Sequence, residues 1–547
     1  MLQIEAAETD VLVLGGGLTG RRAAVAAAET GASVGLACMA RGASPYLVAF
    51  NTPLGHADPN DSPEIYFDDM LRGGYGLNDR RLVRVLADQS VAAFDELVAL
   101  GIPFARDGEH YRQRHLSGNA YPRSVYIPEG VGGIVLNRLD ERLGELGTSV
   151  WSGWKVLNLL RDGAQVVGAL LAQRHEGRLL AVQARSVVIA MGGIGQLYQD
   201  STYPADVAAD AYGLALDAGA QLIDMEFVQF EPTVTVHPEG CRGMEMPTAM
   251  MGDGALLLNA DGERFMFRYN PEHGEKRLEK ARLSLCIQAE IDEGRGLPDD
   301  TVLFDTTAMP HDRLESYVSH CRRLRAAGLD PAFEMVRVRP VAHSEMGGIF
   351  IDENGWTGVP GLYAGGEAAG GIHGASRLAG NGGGEIVVFG GVIGRGAARG
   401  MLERQDRDWR GIEAAAAEPL HAAIGAGGTV EPDAIKAALR AILSRTAGLY
   451  RDETGLRQGL KELAVLEGQI EAGPRAEDLG GAIAAGEARN MVLAGRMIVM
   501  AALARTESRG AHQRRDFADQ DDAHWLQHLV FRQGRDGEPA LGKLPIH

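Results

Sequence analysis

The sequence predicts an α/β fold built on a doubly wound parallel sheet, interrupted by an inserted domain and followed by helices. Three observations predict it. A short apolar run, Asp10 to Leu14, leads directly into GGGLTG (15–20) and an alanine-rich helical stretch. Two further strand-like runs, Ala184–Ala190 and Gly361–Ala364, also end in glycine turns, as ligand loops do at the carboxyl edge of such a sheet. Glycine makes up 73 of 547 residues, nearly twice the roughly 7% of average usage, and clusters in short runs with no G-x-y period.

The first unit reads as a strand over Asp10–Leu14, a helix from Gly20 to Thr30 capped by Gly31, and a strand over Ala32–Ala37. Gly15, Gly17 and Gly20, with Leu18 and Thr19 between them, fit G-x-G-x-x-G after a strand and at the opening of a helix. Glycines there let the backbone approach a pyrophosphate, and the helix N-terminus favours its charge. The acid expected about 20 residues on, to bind a ribose, is absent. Cys38 stands in its place, so backbone groups near Val156 would anchor the adenosine. Between about 226 and 340 the chain is richer in Met, Pro and charge, with one helix from about Glu275 to Glu293. That stretch reads as an inserted domain. From about 411 onward, Ala, Leu, Glu and Arg dominate and the chain reads as almost all helix.

Composition removes several function classes. With 54 basic and 73 acidic residues the net charge is −19, so no overall field gathers nucleic acid or anionic lipid. Cys38, Cys241, Cys286 and Cys321 form no C-x-x-C pair. They offer no ligand set for zinc or an iron–sulfur cluster and no disulfide framework, so no metal is expected. MLQIEAAETD has no secretory pattern, and no run of 18 apolar residues occurs. A cytoplasmic, soluble protein without membrane insertion is expected.

Several segments together resemble the flavoprotein subunits of succinate dehydrogenase and fumarate reductase, and their relative L-aspartate oxidase. They are GAQLIDMEFVQF (219–230), HSEMGG (343–348), GGE (365–367), HGASRLAGN (373–381) and RTESRGAHQRRD (505–516), in the family's order over most of the chain. The resemblance implies a Rossmann-like FAD-binding domain in two pieces (1–225 and 341–410), an α+β capping domain inserted between them (226–340), and a C-terminal helical domain (411–547). It implies FAD contacts from Gly15, Gly17, Gly20, Ser44, Gly192, Gly193, Asp210, Glu367, Asn381 and Gly383. Glu367, at a strand end after two glycines, suits hydrogen bonds from ribityl hydroxyls. Trp525 and the charged 505–516 segment read as domain packing.

The chain also departs from the family. Succinate dehydrogenases tether FAD through a histidine in a motif resembling R-S-H-T-V-A. Here GASPYLVA (42–49) puts Pro45 at that position, so FAD should be held noncovalently. The family's H-P-T reads Glu231-Pro232-Thr233. Fumarate reduction uses an Arg–Glu–Arg proton relay. By resemblance its glutamate falls at Thr248 and its arginines at Met251 and Leu285, so the relay is expected to be lost, with Arg282 the candidate substitute. His343 and Arg377 match carboxylate-binding positions, and an arginine fork suits a carboxylate. Thr233 would donate one hydrogen bond. Glu231 would act as a base, meet a substrate cation, or pair with a structural cation such as Arg242.

Three functions stay open at this point. The first is an FAD-dependent oxidoreductase on a small carboxylic acid, passing electrons to or from oxygen, a soluble carrier or an iron–sulfur partner. The second is a redox-neutral hydratase that needs reduced FAD, as 2-haloacrylate hydratase does, with Glu231 activating water on an alkenoic acid. The third is an electron-transfer subunit with little catalysis of its own.

Overall fold

The computed structural model describes residues 3–173, 176–276, 278–534 and 537–546. The central sheet has seven strands. β1 (Ile4–Leu14) lies between β2 (Val34–Cys38) and β6 (Arg178–Ile189) and is parallel to both. β3 (Ser149–Ser152) extends the parallel edge beyond β2. β4 (Lys155–Asp162) and β5 (Gln165–Gln173) run antiparallel, β5 against the first half of β6. The second half of β6 pairs in parallel with Leu362–Ala364. Two distant stretches of chain therefore complete one sheet.

Val11 to Leu14 are fully buried. α1 (Leu18–Ala28) covers one face and packs against the long helix Asn381–Arg399. The helix starts two residues earlier than the sequence suggests, and Gly31 follows it at φ +93°. Gly15 sits at φ +122°, and a Cβ there would lie 2.0 Å from the Ala190 carbonyl oxygen. A Cβ on Gly20 would lie 2.0 Å from the Gly15 carbonyl oxygen. The glycines thus let α1 press onto β1, and its N-terminus opens toward the carboxyl edge of the sheet.

A second sheet, β7 (Val228–His237), β10 (Val336–Glu345), β9 (Val302–Asp305) and β8 (Leu256–Leu258) in spatial order, is antiparallel throughout. It carries its own apolar cluster, including Met244, Met246, Phe265, Phe304 and Leu324. That cluster accounts for the methionine-rich texture of the sequence. α2 (Lys280–Glu290) packs across β7 and β10.

Beyond residue 405 come four long helices, Trp409–Ala423, Pro432–Thr446, Glu453–Glu471 and Leu479–Ala504, and a single turn, Asp522–Trp525. The chain then departs from the all-helical expectation. His528–Gln533 and Pro539–Leu544 form a hairpin, and the first of these strands pairs with the buried Leu222–Ile223. A ready strand edge in the tertiary structure decides this ending; local helix preference does not. No helix among the described residues is long and apolar enough to cross a membrane. All four cysteines are buried and unpaired.

The 505–516 segment is a buried ionic seam. Arg505 is fully buried; its Nε donates to Glu226 Oε1 at 2.5 Å and its Nη1 to Glu507 Oε1 at 3.0 Å. Two further donations, to the carbonyls of Trp525 and Gln527, use the rest of the fork. Arg509 completes the seam with Glu507 and Asp522. Removing one partner of a buried pair costs about 3–5 kcal/mol because the other charge is left uncompensated. Arg505→Ala should lower the urea midpoint correspondingly, followed by tryptophan fluorescence. An unchanged midpoint would mean that Glu226 and Glu507 do not depend on this cation.

Candidate active site

β7 and β10 leave and re-enter the central domain side by side, and they carry Glu231 and His343 to the wall of one large cavity. Its volume is about 910 Å³, within the range of cofactor and substrate sites. Gly15, Gly17, Leu18, Thr19, Cys38, Ser44, Val156, Gly192, Asp210, Glu367 and Gly383 all line it, as do Glu231, His343 and Arg377. The sequence-derived cofactor loop and the sequence-derived acid–base residues therefore share one space.

Four expected residues do not line it. Gly20 lies beneath Gly15 and supports the loop from behind. Gly193 packs against the Glu367 side chain, whose Oε1 would lie 2.5 Å from an added Cβ. Asn381 is buried, and its Oδ1 accepts from Asn51 Nδ2 at 2.6 Å and Tyr66 OH at 2.9 Å. Thr233 is buried and donates to the Met246 carbonyl at 2.7 Å. Its hydroxyl thus holds β7 to the segment behind it and offers no hydrogen bond to the cavity.

The dinucleotide fits on structural grounds. The first-turn amides of α1 have no intrahelical acceptors. Only a glycine loop lets a pyrophosphate reach them, and Ser44 Oγ orders the turn by accepting from Leu18 N at 2.9 Å. The Asp210 oxygens are already engaged by Lys155 Nζ at 2.6 Å and Asn490 Nδ2 at 3.0 Å. Burial alone would lower Lys155, but Asp210 and Glu487 hold it above the usual lysine range. Glu367 Oε1 accepts from Glu345 N at 2.9 Å, and burial pushes its carboxyl up to about 8. An added set of hydroxyl donors is what such a carboxylate lacks.

The acid–base cluster contains a residue that the sequence reading missed. Glu231 is 1% exposed, and its Oε2 is ion-paired with Lys280 Nζ. Lys280 is the first residue of α2 and also lines the cavity. Leu285, where the resemblance put an arginine, instead faces Phe230, Leu449 and Gly510 in a separate small cavity. Arg282 is exposed and does not line the main cavity. Arg242 pairs with Asp200 and Glu239 and leaves Glu231 to Lys280. Beside Arg377, the cavity wall thus carries a second cation next to Glu231, Lys280, five residues before Leu285. The sequence carried no signal for it, because the helix was expected to begin near Glu275 and begins at Lys280. A lysine in the first turn of a helix opposes the macrodipole, and the Glu231 carboxylate offsets this.

His343 joins the two sides of the cluster. Its Nε2 is 2.8 Å from Arg377 Nη2 and 3.5 Å from Glu231 Oε2. Its Nδ1 is 2.9 Å from Thr202 Oγ1 and 3.2 Å from Glu245 Oε1. Burial drives His343 down to about 3; Lys280 and Arg377 add to this and Glu231 opposes it. Glu231, Glu245 and His343 bring ligand-type atoms within 4.8 Å of one another, but Lys280 and Arg377 already supply positive charge there. Arg377 is 9% exposed, and its buried Nε has no hydrogen-bond partner. A guanidinium on a cavity wall suits a planar anion.

Fold and site together define a flavoprotein oxidoreductase that uses FAD. Residues 10–382 match the FAD binding domain family, and residues 436–547 match the fumarate reductase flavoprotein C-terminal family. The chain belongs to the succinate dehydrogenase/fumarate reductase flavoprotein family. It is 32% identical to a fumarate reductase (CoM/CoB) subunit of Methanothermobacter marburgensis, over 95% of this chain and 96% of that one. It is 33% identical to L-aspartate oxidase of Caulobacter vibrioides, over 97% of each. Among solved structures, E. coli quinol fumarate reductase superposes with a TM-score of 0.91 at 27% identity, covering 99% of this chain and 97% of that one.

Glu367 generates a pH prediction. The folded carboxyl titrates near 8, against an ordinary value of 4.5. Between those values the folded chain holds a proton that the unfolded chain has released. Its contribution is therefore fully present below about 4.5 and lost as pH rises through 8. Relative to Glu367→Gln, the FAD-free protein should lose melting temperature as pH rises through this window. Differential scanning fluorimetry reads both; identical slopes would remove Glu367 as the source.

Proposed function

We propose that this chain oxidises or reduces a small carboxylic acid over a noncovalently held FAD. The observation that carries the reading is Arg377, 9% exposed on the cavity wall, with His343 Nε2 2.8 Å from its Nη2. Bound FAD supplies the two-electron step. Arg377 binds the substrate carboxylate as a fork, and His343 adds a hydrogen bond. Lys280 holds a proton at Nζ on the cavity wall, and Glu231 keeps that nitrogen in place through their ion pair. A cation thus stands by the cavity without the arginine relay of fumarate reductases. Pro45 lines the cavity between Ser44 and Tyr46 and has no nucleophile to form a flavin bond, which supports noncovalent binding. Several relatives are named as subunits, so a partner subunit or a soluble carrier would exchange the electrons.

The Glu231–Lys280 pair also favours a second reading. A buried carboxylate on the cavity wall can take a proton from water and add hydroxide to an activated alkenoic acid without net redox change. Redox accounting separates the two. The first consumes one reductant or oxidant per turnover; the second needs reduced FAD but consumes none.

Acid precipitation should release all the flavin into the supernatant; flavin left in the pellet would refute noncovalent binding. On a panel of unsaturated, halogenated, hydroxy and amino acids, Arg377→Ala should raise the apparent KM roughly 10–100-fold, as expected for a charged hydrogen bond. Lys280→Met should lower kcat by about 10²–10⁴-fold with FAD still bound. Near-normal steady-state turnover in Lys280→Met would remove Lys280 from the proton step.

A further inference from the structure

Lys280 and Glu231 are buried, so a proton spent in turnover has to be replaced from outside. Within this cluster, His343 and Glu245 link the buried pair stepwise to water. Glu245 is 37% exposed, and its Oε1 lies 3.2 Å from His343 Nδ1. His343 Nε2 lies 3.5 Å from Glu231 Oε2, and Glu231 holds Lys280. Glu245, His343, Glu231 and Lys280 thus stand in line along the cavity wall, from the most exposed of the four to the buried pair.

The line has a break in it. Arg377 Nη2 is always a donor, so His343 Nε2, 2.8 Å away, must accept from it. The ring proton is then on Nδ1, facing Thr202 and Glu245. In that tautomer Nε2 has no proton to pass to Glu231, and Nδ1 cannot receive one.

We propose that Glu245, His343, Glu231 and Lys280 form a proton path from solvent, and that a substrate carboxylate opens it by taking Arg377 away from His343. This rests on the carboxylate reading of the site. With Arg377 engaged by substrate, the ring proton moves to Nε2, and Nδ1 becomes free to accept. Lys280 Nζ gives one proton to the substrate carbon. Glu231 restores it and takes a proton from His343 Nε2; Nδ1 takes one from Glu245, and Glu245 takes one from water. The net movement is one proton from solvent to substrate, and it runs in reverse for oxidation. An empty site stays closed.

The test uses the FAD-loaded protein with ¹⁵N-labelled histidine rings and malonate as the carboxylate probe. His343 is assigned as the signal missing from His343→Gln. Without malonate, Nδ1 should be the protonated nitrogen; with malonate, Nε2 should be. The same tautomer in both, while malonate shifts the flavin absorption band, overturns the proposal. Failure of malonate to shift that band at any concentration counts instead against the carboxylate site itself. Turnover gives a second arm that does not need the His343 variant. Glu245→Gln should lower kcat by about 10–100-fold, below the full loss of a general acid, with KM and FAD content unchanged. Acetate should restore part of the rate to Glu245→Ala. Unchanged kcat in Glu245→Gln overturns the path.

Discussion

The buried ion pair between Glu231 and Lys280 is the constraint on which the site depends. Two charges taken out of water are expensive unless each compensates the other, and removing one leaves the other strongly destabilised. The pair therefore fixes the N-terminus of α2 against β7. Ser284 Oγ, one turn on, donates to the Phe230 carbonyl and reinforces the same contact. Because β7 is also the strand by which the chain leaves the central domain, the pair sets where the inserted sheet meets the cofactor cavity. A hydrophobic replacement would pack there too, but it would carry no proton.

The second support comes from the far side of β7. Glu226, two residues before that strand, is fully buried and held by Arg505. Arg451 Nη1 donates to the Glu226 carbonyl at 2.6 Å and lies 2.9 Å from His512 Nδ1. The C-terminal region thus grips the root of the strand that presents Glu231. Its charged motif is distant from the acid–base cluster in sequence, yet it positions that cluster. A mutation in the seam would show as a change in site geometry as well as in stability.

The site combines charges of both signs at short range. Arg377 and Lys280 bracket a neutral His343, with Glu231 and Glu245 on its two nitrogens. Low solvent access strengthens each interaction and makes an unpaired group costly. Arg377 Nε, Glu345 Oε2 and Glu385 Oε1 lack partners among the described residues. The same desolvation raises the carboxyls of Glu367 and Glu345, so these two favour their protonated forms until a ligand supplies donors.

Much of this was readable from residues alone. Gly15, Gly17 and Cys38 mark the loop and strand end because their reasons are local: a glycine backbone, a helix start, an alternation of apolar residues. The Met-rich change in texture marks the inserted sheet because a separate apolar cluster needs its own composition. Glu231, His343 and Arg377 were legible through motif positions. Lys280 was not, since its role depends on which residue of α2 faces β7, and five residues of helix turn that face away. Thr233 and Asn381 looked like ligands by position, but their hydrogen bonds run inward to backbone and to Asn51 and Tyr66. The closing hairpin eluded a reading by propensity because its partner edge, Leu222–Ile223, lies far earlier in the chain. The sequence by itself determined the first βαβ unit, the cofactor loop and the charged residue types, since those follow from period, glycine and chemistry over a few residues. Only the tertiary structure decided which charges meet, because pairing across separate segments is set by packing and by the cost of burying any charge alone.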